Sequence, residues 1–343
     1  MLSRYPAMML VTLLVTSPLA AGTPADPDLN PRGRAILAWF QQLSASPELR
    51  LVSGQFLGWS GSGSLEEVEK IHRASGQRPA MIGLDYCAWL PGNRPDMAGI
   101  DTRTPNEFAK NYWRDGGLVD ISWHATNPSG GSLKTRDLKL ADLLVPGPLH
   151  DRWLESLDRI AAGLQELQEA GVVVLWRPFH EMNGGWFWWG AQEPADFIAA
   201  WRQMFDYFTR EKKLHNLIWI FSPNHGQRNA PDYYPGDTAV DLAGFDAYTD
   251  NIDPQHIKGY PGLVRLNKPF GFTEYGPHAS SNPPGDFDYR RLLDDIGENF
   301  PLARHFLCWN QKWNPAENRF AREFYNDPRV ITRDQIPAGL TGK

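Results

Sequence analysis

A rhythm constrains this chain more than any other feature: short apolar runs of strand length alternate with longer stretches of helical period, from about residue 51 to the C-terminus. The strand-like runs are Val52–Trp59, Ala80–Trp89, Gly117–His124, Val172–Phe179, Leu217–Ser222, Val240–Tyr248, Pro269–Tyr275 and His305–Trp309. Val172–Phe179 is continuously apolar except for Arg177, as expected of a strand covered on both faces of a parallel sheet. Helices between the runs are marked by their ends. Ser64 ahead of Leu65, Glu66 and Glu67 reads as an N-cap and acidic first turn, with a stop before Gly76, and Thr104–Pro105 opens a helix to Arg114. Over 149–170, Leu154, Leu157, Ile160, Ala161, Leu164 and Leu167 recur at three- and four-residue spacing, and Gly171 ends the stretch. Further helices are expected over 194–213, 289–299 and 316–325. Together these predict an α/β fold, a single (β/α)8 TIM barrel. The alternative is an open doubly wound sheet, but no Gly-rich phosphate turn follows the first strand. The connections after strands five and six hold Pro231, Pro235, Pro254 and Pro261, which leave little room for helices.

Composition narrows the partners. With 34 basic against 40 acidic residues the net charge is -6, which argues against a groove built to attract nucleic acid. The 14 Trp are more than a core needs, because Leu and Val pack without an N–H to satisfy, so exposed flat rings are expected. Arg4, the apolar run Ala7–Leu14 with Val15, and the small residues Ala20, Ala21 and Gly22 match a secretory signal peptide over 1–22. That run is too short to span a bilayer, which takes about 20 apolar residues. The expected product is a secreted or periplasmic protein with no membrane association after signal removal. Residues 23–31 read as a Pro-rich linker and 32–343 as one catalytic domain. Cys87 and Cys308 either pair or remain buried thiols. No His-x-x-x-His or other ligand spacing suggests a metal, no cofactor is implied, and a monomer is the default.

In a barrel of this kind the reacting groups hang from the C-terminal ends of the strands. Glu181 follows strand four and Glu274 ends strand seven, so the two face one another across the mouth. A glycosidic bond needs two such carboxyls, one to protonate the leaving oxygen and one to attack or to activate water. The competing reading is structural: an ion pair closing the barrel top, with Arg177 as partner for Glu274. Other polar and aromatic groups crowd the rim: Trp123 and His124 after strand three, Asn224 and His225 after five, Asp246 and Tyr248 at the end of six, Trp309 and Asn310 after eight. In the loop after strand four, Trp186-Phe187-Trp188-Trp189 stand in a row between glycines. Consecutive rings cannot all face one core, so some of them line a surface suited to the apolar C–H faces of sugars.

At these residues the chain resembles glycoside hydrolase family 26. Arg177-Pro178-Phe179-His180-Glu181-Met182-Asn183 with Trp186–Gly190 is similar to the family's acid/base segment, and Thr273-Glu274-Tyr275-Gly276 to its nucleophile segment. Ser122-Trp123-His124 with Asn127-Pro128, and Gly244–Tyr248, resemble its sugar-binding strand ends. The resemblance implies a retaining β-1,4-mannanase acting on mannan, galactomannan or glucomannan, with Glu274 attacking the anomeric carbon and Glu181 donating and then removing a proton. It implies a raised pKa for Glu181, and an ionised Glu274 held by Arg177 and Tyr248. It also implies that His180 accompanies activity on mannose, that Trp309 floors the sugar beside the cleaved bond, and that Trp186, His124, Asp246 and Tyr248 bind around it. One departure is Asn310, where family members can carry Arg. The alternatives are a related β-glucanase or β-1,3-xylanase, or a carbohydrate-binding barrel without turnover.

Overall fold

The computed structural model describes residues 23–59, 63–89, 98–277 and 285–343; the signal segment expected over 1–22 lies outside them. Eight parallel strands form the barrel: β1 Leu51–Phe56, β2 Met81–Asp85, β3 Leu118–Trp123, β4 Val174–Pro178, β5 Leu217–Phe221, β6 Leu242–Tyr248, β7 Phe270–Gly276 and β8 Ala303–Cys308. Each pairs with the next, and β8 returns to β1, where Val52 lies beside His305 and Gln55 beside Cys308. The apolar runs are strands because both faces are covered, inward by the barrel filling and outward by helices. The helices are α1 Pro31–Ala45, α2 Glu66–Ser75, α3 Arg103–Arg114, α4 Pro148–Glu169, α5 Pro194–Asp206, α6 Tyr260–Val264, α7 Arg290–Asn299 and α8 Ala321–Tyr325. After β5 only a 3-10 turn, Ala230–Tyr233, is formed, and after β6 only the short α6, as the prolines there require. None of the described helices is long and apolar enough to cross a membrane.

Two features differ from the reading of the sequence. The stretch 23–31 is packed rather than free: Ala25, Asp26 and Leu29 are buried, the Ala25 N–H donates to Asp241 Oδ1 at 2.7 Å, and Asp26 meets His215 Nδ1 at 2.8 Å. Asp241 and His215 precede β6 and β5, so this stretch covers the N-terminal end of the barrel. Its last residues begin α1, with Asn30 accepting from the Gly33 N–H and Pro31 in the first turn. The run Ala80–Trp89 is broken after Asp85, and Cys87–Trp89 pairs antiparallel with Ala98–Ile100. Asp85 causes the break by turning back to accept the Cys87 N–H at 2.7 Å. Of the two readings left open for the cysteines, the structure shows the second: Cys87 and Cys308 are both buried free thiols.

Inside the barrel, glycine makes room for a polar layer. A Cβ at Gly244 would strike the Thr273 side chain, and one at Gly271 would strike the His305 ring. Directly above lie the charged residues of the mouth.

Candidate active site

The lowest layer of the mouth is built on strands. Arg177 of β4 is fully buried and forms ion pairs with Glu274 Oε1 of β7 at 2.8 Å and Asp246 Oδ2 of β6 at 3.3 Å, with Asp120 Oδ1 of β3 at 3.7 Å from its Nε. One cation therefore faces three buried carboxyls, and they do not all carry a full charge. Burial pushes Asp120 up to about 7, against the pull of Arg177 and with added repulsion from Glu274. Burial, then Glu274's charge, also moves Asp246 well above the usual carboxylate range, although Ser222 Oγ donates to its Oδ1 at 2.7 Å. Glu274 has the shortest of the ion pairs, with Arg177, and the Tyr248 hydroxyl donates to its Oε2 at 2.8 Å. Among the described residues, Asp246, Glu274 and His180 come close enough together to suggest a metal site, but the Arg177 guanidinium already lies against both carboxyls.

Glu181 is held differently, by a loop in unusual backbone. Phe179 and Glu181 both have left-handed φ, 50° and 55°, a conformation that costs non-glycine residues of order 1–3 kcal/mol each and collects at functional sites. Hydrogen bonds hold the turn: Glu181 N–H to Ser222 O at 2.7 Å, Gly184 N–H to Glu181 O at 2.8 Å, and Ala191 N–H to Met182 O at 2.7 Å. Gly190 is needed because a Cβ there would strike the Gly184 carbonyl. Asn224 donates to Glu181 Oε1 at 3.1 Å and Trp186 Nε1 to Oε2 at 2.6 Å. Asn224 is itself clamped by Asn183, whose side chain accepts from its N–H at 2.7 Å and donates to its carbonyl at 3.0 Å. Burial and then the charge of Glu274 push Glu181 up to about 7, although the hydrogen bonds from Asn224 and Trp186 and the charge of Arg177 all work the other way.

Around the carboxyls lies a wall of rings. His180 Nε2 is 4.0 Å from Glu274 Oε1 and 3.1 Å from His124 Nε2. Trp309 stacks on Phe56, with centroids 3.8 Å apart and planes 8° from parallel, and turns an edge to Tyr248. Of the four rings in a row, Trp188 and Trp189 are fully buried, donating to Ala125 O and His180 O, each at 2.8 Å. Phe187 stacks on Trp189, while Trp186 is 38% exposed and is the ring open to a ligand beside Glu181.

All the sequence-chosen residues, Glu181, Glu274, His124, His180, Trp186, Asp246, Tyr248 and Trp309, gather at this mouth. Trp123 does not, being stacked outside the barrel on Trp153 with centroids 5.6 Å apart. Several contributors were missed. Trp59, read as a strand end, packs against His124 and Trp309 with centroids 4.2 and 5.8 Å away. Asp85 and Asp120 sit in apolar strands, where a lone carboxylate is itself a signal because such groups are rarely buried without a partner.

A parallel barrel whose strand ends carry two differently held carboxyls, one of them against an exposed indole, is the arrangement expected of a glycoside hydrolase. The chain belongs to Glycosyl hydrolase family 26, whose profile matches residues 25–335. It is 37% identical to the mannan endo-1,4-beta-mannosidase A and B of Caldalkalibacillus mannanilyticus, over 96% of this chain and 66% of that one. With the mannan endo-1,4-beta-mannosidase of Bacillus subtilis strain 168 it shares 35% identity over 96% and 93% of the two chains. A solved Bacillus subtilis mannanase superposes with a TM-score of 0.84 at 34% identity, covering 93% of this chain and 98% of that one.

Proposed function

We propose that this protein is an exported, monomeric mannan endo-1,4-β-mannosidase that cleaves mannan, galactomannan or glucomannan with retention, Glu181 serving as acid/base and Glu274 as nucleophile. The observation that carries this reading is the unequal treatment of the two carboxyls. Glu274 lies against a guanidinium and a hydroxyl donor, whereas Glu181, with no ion pair among the described residues, is pushed up to about 7 and so keeps a proton to give. In the first step a Glu274 oxygen bonds to the anomeric carbon as the glycosidic C–O bond breaks, and the Glu181 proton passes to the leaving oxygen. In the second, Glu181 takes a proton from water, the water oxygen bonds to the anomeric carbon, and Glu274 leaves as carboxylate. Mannose as the sugar is supported by the names of the family relatives. Export is supported by the N-terminal charge and apolar pattern, and cell fractionation tests it.

The test has two arms. The purified protein is given mannan, galactomannan, glucomannan, mixed-linkage β-glucan and β-1,3-xylan, and the anomer first released is read by proton NMR. Hydrolysis confined to the mannans with the β-anomer formed first is expected. Cleavage of the glucan or xylan alone, or first release of the α-anomer, overturns the substrate or the mechanism respectively.

A further inference from the structure

The structure assigns to Asp85, which touches neither proposed catalytic carboxyl, a positioning role: through His124 it fixes the proton of His180 on Nε2, the nitrogen facing Glu274. The inference rests on the reading above only in taking the Glu274 side of His180 as the side that meets the sugar.

Asp85 ends β2, fully buried, and accepts from four donors. The Cys87 N–H at 2.7 Å and the His124 N–H at 3.2 Å reach Oδ1, while the Ser122 hydroxyl and His124 Nδ1, the latter at 2.8 Å, reach Oδ2. Burial alone would raise this carboxyl, but His124, Ser122 and the Cys87 N–H outweigh it and hold the pKa below its usual value. A carboxylate has no proton to offer, so the Asp85–His124 bond requires the proton on His124 Nδ1.

Nε2 of His180 stands 3.1 Å from Nε2 of His124, and only one of the two nitrogens can carry the proton between them. Two bare nitrogens at that distance repel, so one ring must donate, and the surroundings of His180 make it the donor. The opposite arrangement, with His124 donating, would leave the proton of a neutral His180 on Nδ1, which is buried without a partner. An orphaned buried N–H is rarer in folded proteins than an under-used acceptor. Burial above all, with the charge of Arg177 in addition, lowers the pKa of His180 and keeps it neutral. The edges of Trp59 and Phe187 close over His124 with centroids at 4.2 and 5.2 Å, so the pair lies within a hydrocarbon wall. In consequence the His180 Nε2 site is filled by a proton shared with His124, and no lone pair of that nitrogen faces Glu274 Oε1, 4.0 Å away.

Asp85→Asn inverts the chain. Its amide oxygen stays with the two backbone N–H groups, the amide N–H2 turns to His124 Nδ1, and the protons move to His124 Nε2 and then to His180 Nδ1. The experiment is ¹⁵N NMR of the free full-length enzyme labelled at histidine, with assignment by His124→Asn and His180→Asn. For the unaltered enzyme, His124 protonated on Nδ1 and His180 on Nε2 are expected. In Asp85→Asn both should switch, with kcat/KM on mannan lower by about 10- to 100-fold, the usual scale for a group that orients a working residue. Ser122→Ala, which keeps the carboxylate, should leave both tautomers in place. His180 protonated on Nδ1 in the unaltered enzyme overturns the inference even if Asp85→Asn fails to fold, as do unchanged tautomers in a folded Asp85→Asn. The spectra need no turnover: correct tautomers in a protein that cleaves no mannan would defeat the proposed function alone, and wrong tautomers in an active mannanase would defeat this inference alone.

Discussion

Glu274 sits on a strand, and Glu181 one turn beyond the end of another. Around Glu274 the barrel supplies extended strand backbone with a shift of register at Thr273, a fully buried Arg177 and a hydroxyl from Tyr248. Around Glu181 a loop in left-handed backbone supplies an amide and an indole, with no cation in ion-pair contact among the described residues. Arg177 precedes Glu181 by only four residues, yet strand geometry turns its guanidinium inward to Glu274 and Asp246. The placement of one cation thus gives two chemically identical side chains different surroundings, and the proposed division of roles rests on that difference.

Removing either carboxyl gives the largest expected effect and the cleanest break in the comparison. Glu274→Ala should abolish activity on every substrate. Glu181→Ala should lose about 10²- to 10⁴-fold on mannan, the usual worth of general acid–base catalysis, yet release dinitrophenol readily from an activated aryl mannoside, which needs no proton. Equal losses by both variants on both substrates would mean that the two groups do not differ in role. Next comes Arg177→Met, which strands buried carboxyls without their cation. It should destabilise the fold by about 3–5 kcal/mol in urea denaturation, and an unchanged midpoint would show that the network holds no charge needing compensation.

The barrel was legible because each strand is apolar on both faces and helix ends carry their own punctuation. Glu181 and Glu274 were legible because they fall where strands stop. Asn30-Pro31, an N-cap followed by a first-turn proline, was present in the sequence but hidden among neighbouring prolines that suggested a linker. Asp85 was harder to see, since its work is to pair with His124, 39 residues away and on the neighbouring strand's end, and no local pattern encodes that meeting. The structural reading of Glu274 is met, since the pair with Arg177 exists, and the proposed catalytic role does not require its absence.

The pH dependence of rate tests the Glu181 side at smaller scale. With the acid up to about 7, kcat/KM should fall as pH rises through that value, because the proton is lost before it can be given. The Trp186 hydrogen bond favours the charged form, so Trp186→Phe should move this limb upward and reduce the rate about fivefold, the worth of one hydrogen bond near 1 kcal/mol. A limb that moved down, or stayed fixed, would show that the indole does not hold the Glu181 pKa down.

On the opposite side, stability rather than rate carries the signal. Asp120 is pushed up to about 7 in the folded protein but titrates near about 3.9 when unfolded. Between these values the folded state binds the extra proton, so by linkage the contribution of Asp120 to stability is greatest below about pH 4 and declines as pH rises to about 7. Asp120→Asn keeps the shape and removes the titration, so its melting temperature should fall less than that of the unaltered protein between pH 4 and 7. Parallel curves would mean that Asp120 is ionised throughout, and that Arg177 shares its charge among three full carboxylates instead of standing chiefly with Glu274.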